Sequence, residues 1–212
     1  MSPPKKAINP RKKPRQARSA VTIDVILEAA ARILESDGLA AFNTNAVAAK
    51  AGVSIGSLYQ YFPSKEALLA ELIRIERAKL RDAISAHAQA VETGDFANMV
   101  DGFINAAIQH QLERPRLAST LEYIENSLPI SEETAAIKAD INTQVAATLT
   151  RFGIDQPELA AQDLSALTRG MVDTAGMLGE TDRTSLANRV RRAIYGYLGR
   201  PLPDAEPATV KN

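Results

Sequence analysis

Apolar residues recur along this chain at the three- and four-residue spacing of a helix, and no stretch shows the strict alternation of a half-buried strand. The first stripe, Ile23, Ile26, Leu27, Ala30, Ile33 and Leu34, predicts a helix over about residues 22–37 ended by Gly38. Leu39 and Phe42 then lead to a shorter helix in which Asn43 or Thr44 is the cap and Val47, Ala48 and Ala51 form a small apolar face. Gly52 can take the positive φ of a sharp reversal, Val53 tucks inward, and Ser54 caps a further short helix whose inward residues are Leu58 and Phe62. Pro63 disfavours helical geometry at Phe62 and stops that element. Ser64 then caps a much longer helix from Lys65 toward Ala90, carrying Leu68, Leu69, Leu72, Ile75, Leu80 and Ile84. At ~1.5 Å per residue this helix is roughly 35–40 Å long, enough to join two distant parts of a molecule.

Thr93, Gly94 and Asp95 interrupt the pattern, and Phe96, Met99, Val100, Phe103, Ile104, Ala107 and Ile108 restart it up to Pro115. Further helices are predicted over about residues 117–126 and 132–152. The next start combines an Asp155 cap, an early Pro157 and Glu158 as a capping-box acid, and its helix runs to about Leu178 before Gly179. Thr181 or Asp182 caps a last helix to about Leu198, and Pro201, Pro203 and Pro207 mark a frayed tail. The reading is an all-α fold of about nine helices. Its expected divisions are a basic arm over residues 1–18, a small three-helix unit over 19–65, a helical body over 66–200 and a flexible tail over 201–212. Leu164, Leu167 and Met171, with Leu186, Val190, Ile194 and Tyr197, form stripes on the last two helices that would serve a homodimer as a four-helix bundle.

Charge sharpens this division. Net charge is zero over 212 residues, but residues 1–80 hold 13 Lys and Arg against 7 Asp and Glu, while the remainder holds 12 against 18. The basic half contains the short helices, as in a chain with one end on nucleic acid. Residues 1–18 alone carry seven basic residues, four prolines and no acid, which suits an unpacked arm near phosphates. There is no cysteine, which excludes disulfides and thiol catalysis. No apolar window is long enough to span a bilayer, so the expected location is cytoplasmic and no membrane partner is expected.

The residues Asn43 to Glu66 read as a helix, a glycine turn, a second helix and a stop: a helix-turn-helix with Ile55, Gly56, Ser57, Tyr59 and Gln60 left facing a DNA groove. Lys65 opposes the positive end of the helix it begins, a conflict that a bound DNA phosphate removes. The stretch AAKAGVSIGSLYQYFPSKEALL resembles the signature of the TetR family of transcriptional regulators. The resemblance implies an all-helical homodimer on double-stranded DNA, with a variable C-terminal domain that often holds a small-molecule effector. It also implies that Ile55, Gly56, Ser57 and Tyr59 meet base edges and that Tyr61 and Lys65 hold phosphates. Lys50, Thr44 and Ser54 would assist, and Gln60 would pair with adenine or touch only the backbone. The function implied is a regulator, a repressor in this reading, released from a palindromic operator by its ligand; an architectural DNA binder of the same fold without a switch is the alternative.

Gly52, Ser54 and Gly56 also spell the G-x-S-x-G elbow of serine hydrolases, but helical residues rather than a strand precede Gly52, and the chain has only His87 and His110 to act as bases. Neither histidine has the helical i, i+4 partner of a zinc site, and Glu132 and Glu133 suit a helix start, so no enzyme activity, metal or cofactor is expected. In the body, Phe103, Ala107, Gln111, Tyr123, Asn126, Met171 and Met177 supply apolar walls with few polar groups and are the candidate ligand site.

Overall fold

The computed structural model describes residues 9–10, 17–90, 95–125 and 127–203, and the described residues form ten α-helices and no strand. The expected arm over residues 1–18, apart from Asn9, Pro10 and the first turn of a helix, lies outside the described residues, as do Thr93, Gly94, Asn126 and Pro207.

The local chemistry of the short helices follows their sequence. α1 (Ala17–Ser36) leads through Gly38, at φ 74°, into a single turn, α2 (Gly38–Ala41). Asn43 caps α3 (Thr44–Ala51) by accepting from the Ala46 N–H at 2.9 Å. Gly52 then turns the chain at φ 67°, where a side chain would be strained. Ser54 caps α4 (Ile55–Tyr61), its hydroxyl accepting from the Ser57 N–H at 3.0 Å. Ser64 caps α5 (Lys65–Ala90) by accepting from the Ala67 N–H at 3.2 Å. Leu58 and Phe62 are fully buried, as their spacing predicts.

The body consists of α6 (Phe96–Leu112), α7 (Pro115–Glu125), α8 (Ser131–Arg151), α9 (Pro157–Met177) and α10 (Arg183–Tyr197). Asp95 and Asp182 cap α6 and α10 through their side chains. Two hydrophobic clusters divide the molecule. One joins α1, α3, α4, the first half of α5 and α7; the other joins the far end of α5 with α6, α8, α9 and α10.

Several expectations change. α1 begins at Ala17, because the segment before Thr22 has helix-forming residues but no apolar stripe to announce it. The extra turn α2 brings the described helices to ten rather than about nine. Asp155 does not cap α9: the cap position is Gln156, at φ 49° with no side-chain cap bond, since Pro157 pushes its predecessor out of the right-handed helical region. Most of the stripe assigned to a dimer is internal. Leu164, Leu186, Val190 and Ile194 are all buried in the second cluster, and the apolar residues left exposed there are Leu159, Met177, Leu178 and Tyr197. Helical spacing marks a buried face without saying what buries it.

α5 is not alone in joining the two ends. Leu117, Leu121 and Ile124 of α7 enter the first cluster, so α7 binds the body to the short-helix end. Arg114, just before α7, adds a fork: its Nε and Nη2 donate to Glu35 of α1 at 2.7 and 2.6 Å, and its Nη1 donates to Glu28 at 2.9 Å.

Candidate functional site

The outer face of α4 is built by its own caps. Ile55 and Tyr59 are 38% and 40% exposed, large side chains held out of the core while Leu58 and Phe62 anchor the opposite face. The Tyr59 hydroxyl shares a 3.1 Å hydrogen bond with Thr44, which ties the start of α3 to the outside of α4. Ser57 and Ser54 share a 2.8 Å bond between hydroxyls, and Gly56 has only the Ser54 hydroxyl near the place of a Cβ, so a partner can approach the backbone there. Lys50 and Gln60 are exposed, Tyr61 is half-buried against the first cluster, and Lys65 stands exposed at the first position of α5. The structure therefore brings Thr44 into contact with Tyr59 and Ser54 into contact with Ser57, and sets Ile55 and Gly56 on the same short helix as Ser57 and Tyr59.

Ser54 sits between two helices rather than after a strand, its hydroxyl is the α4 cap, and among the described residues neither histidine hydrogen-bonds to it. His87 has its Nε2 on the Met99 carbonyl at 3.2 Å and its ring edge-on to Phe103.

In the body lies a cavity of about 320 Å³, reached by residues of α5 through α10. Phe103, Ala107 and Gln111 line it. Tyr123, Met171 and Met177 do not: Tyr123 and Met177 are 81% and 78% exposed, and Met171 borders a separate outer groove with Leu167 and Leu178. The helical period accounts for the placement of Tyr123 and Met171, because the cavity receives Glu122 and Val172, and a neighbour one position along points about 100° away. Asn126 is outside the described residues.

Sequence reasoning missed most of the polar part of this wall, including Arg77, His110, Glu122, Lys138 and Asp173, drawn from five helices. A signal existed in Asp173, a lone acid within the run Gly170 to Leu178. Burial, then the charges of Arg77 and Lys79, lower the pKa of His110 and favour its neutral form. Burial and the neighbouring Glu122 push Asp173 up to about 6. Beside the cavity, Glu125 is 3% exposed and bridged by Arg77 Nη2 at 2.6 Å and Lys138 Nζ at 2.8 Å. Burial raises its pKa, and the bonds from Lys138 and Arg77 more than reverse this, holding it at about 2.

The family model described as "Bacterial regulatory proteins, tetR family" matches residues 26–72, and one described as "Tetracyclin repressor-like, C-terminal domain" matches residues 95–198. An uncharacterised HTH-type transcriptional regulator of Mycobacterium tuberculosis is 30% identical over 141 residues, 66% of this chain and 67% of that protein. The chain belongs to the TetR family. As a member it is a transcriptional regulator with a DNA-binding helix-turn-helix, formed by α3, Gly52 and α4.

Solved structures share its fold. The fatty acid degradation regulator FadR from Bacillus halodurans superposes with a TM-score of 0.69 at 19% identity, covering 86% of this chain and 96% of that one. SmeT in complex with triclosan gives 0.68 at 20% identity, covering 91% of this chain and 100% of that one. SmeT is the repressor of the Stenotrophomonas maltophilia multidrug efflux pump SmeDEF. In this TetR-family chain no helix among the described residues is long and apolar enough to cross a membrane.

Proposed function

We propose that this regulator is a repressor that binds a palindromic operator as a homodimer and leaves it when a small molecule fills the body cavity. The observation that carries the reading is the position of α7: its Leu121 enters the DNA-binding core, and the same residue with its neighbour Glu122 lines the cavity. A ligand that favours one seating of α7 and α5 would move α4 through Arg114 and the shared core. Only unequal affinity for the two states does this, and a hundredfold preference supplies about 2.7 kcal/mol per site. The triclosan complex of SmeT supports a small-molecule effector by analogy of fold. The functional division follows: residues 19–65 bind DNA, while residues 66–200 hold the ligand and pair with a second copy through the outer faces of α9 and α10, where Leu178 and Tyr197 are exposed. The location proposed is the cytoplasm, where the DNA is.

On DNA, Ile55, Gly56, Ser57 and Tyr59 face base edges, with Thr44 holding the Tyr59 hydroxyl and Ser54 the Ser57 hydroxyl. Tyr61, Lys65 and Lys50 hold phosphates, and Gln60 lies between these roles. Binding of selected and random duplexes across a salt series tests the assignment. Lys65→Ala and Tyr61→Phe are expected to weaken all duplexes alike, Lys65→Ala reducing the salt slope by about one unit. Ser57→Ala or Tyr59→Ala is expected to change sequence preference. A specificity change in Lys65→Ala at unaltered salt slope would reject its phosphate role.

Arg114→Ala is the test of the coupling. It leaves Glu28 and Glu35 facing each other without their shared cation, at a cost of about 1–2 kcal/mol for a half-exposed pair. Calorimetry is expected to find ligand affinity nearly unchanged while the ligand-induced loss of DNA affinity, read by anisotropy, shrinks. An undiminished loss would remove Arg114 from the coupling path.

A further inference from the structure

On the α7 and α9 sides of the cavity, Glu122 and Asp173 both line the wall, close enough for Glu122 to add to burial in raising the pKa of Asp173. Neither forms an ion pair with a base among the described residues. Two of the nearby cations are committed elsewhere: Arg77 Nε and Nη2 and Lys138 Nζ all donate to Glu125. Arg169, four residues before Asp173, also lines the cavity but is exposed, and it attracts Asp173 without an ion pair to it. His110 favours the neutral form. This wall therefore sets two acidic side chains beside each other with no cation among the described residues bonded to either.

Gln111 is an independent sign of a ligand at the same place. It is 6% exposed, lines the cavity, and its amide has no hydrogen-bond partner among the described residues. The side chain lies against α9 at Gly176, where an added Cβ would stand 3.6 Å from its Cγ and 3.8 Å from its Nε2. Gly176 is about one helical turn beyond Asp173. The amide atoms are accessible from the cavity, so a ligand group there can bond them. Most of the remaining wall is apolar, with Ile84, Met99, Phe103 and Leu149 in it, alongside neutral polar groups such as Asn142 and Ser165.

We propose that the cavity selects an amphipathic primary amine, its protonated head donating N–H groups to Glu122, Asp173 and the Gln111 side-chain carbonyl and its apolar body lying against α5, α6 and α8. This rests on the effector reading of the cavity given above. A carboxylate head would meet two acidic side chains, and a neutral head would leave them without a cation. A quaternary ammonium has the charge but no N–H for the three acceptors.

Calorimetric titration of the full chain with decylammonium, decyltrimethylammonium, decanoate and decanol, each below its micelle concentration, compares four heads on one tail. Decylammonium is expected to bind roughly tenfold to a hundredfold more tightly than decanol. Decyltrimethylammonium should fall between them and decanoate last. Asp173→Asn and Gln111→Leu should each weaken decylammonium about tenfold or less while leaving decanol unchanged, which separates a head-group contact from damage to the fold. Decanoate binding as tightly as decylammonium, no decylammonium binding, or full affinity in Asp173→Asn would overturn the proposal. Anisotropy with a duplex selected from random DNA keeps the two readings apart. Amine binding without DNA release rejects the switch and keeps the ligand class, whereas release by other compounds with no amine binding rejects the class alone.

Discussion

Glu125→Ala is expected to lower stability by about 3–5 kcal/mol, because it leaves Arg77 and Lys138 without the buried carboxylate that both of them bond. For a chain of this length that is a fall of roughly 10 °C in melting temperature, readable by calorimetry or circular dichroism. The site joins α5, α7 and α8 in one place, so its loss loosens the seating of α7 that the proposed switch depends on. The pH profile distinguishes this from a general loss of packing. Glu125 titrates at about 2 in the folded chain against an ordinary value of 4.5, a depressed pKa. Its stabilisation is therefore whole above the ordinary value and is lost as pH falls toward the folded one. The wild-type melting temperature should drop across that window more steeply than that of Glu125→Gln; parallel profiles would show that the ion pairs contribute nothing to the acid limb.

Gly102→Ala is expected to destabilise the body by about 1–3 kcal/mol despite being a helix-favouring change at a helix position. A Cβ at Gly102 would lie 1.9 Å from the His87 ring atoms Cε1 and Nε2, so the ring must leave. Its departure breaks the 3.2 Å bond to the Met99 carbonyl and the edge-on contact with Phe103, whose centroid is 5.3 Å away. Because Phe103 lines the cavity, the change should also alter ligand affinity. Denaturant midpoints of Gly102→Ala, His87→Ala and the double variant decide the matter. The double variant should be more stable than the two single losses predict together, and strict additivity would mean that the ring moves aside without cost.

The helix-turn-helix was legible because its signals are local. The caps Asn43, Ser54 and Ser64 each bond an N–H three residues on, Gly52 takes its positive φ within one turn, and Leu58 and Phe62 face inward by the helical period alone. The grouping of Thr44 with Tyr59 was not legible in the same way, since it depends on the angle between α3 and α4.

For the body, the sequence by itself determined which faces of α9 and α10 are apolar, and with them the all-helical character of the molecule. Only the tertiary structure decided that Leu164, Leu186, Val190 and Ile194 serve the chain's own core and that Leu159, Met177 and Leu178 are left outside. It also decided that Glu122, Asp173 and Gln111 share one wall and that α7 belongs to the DNA-binding core. The reason is physical. A helical period records that a side chain is shielded from water, whereas what shields it, and which polar groups from distant segments meet there, is set by how the helices cross and pack.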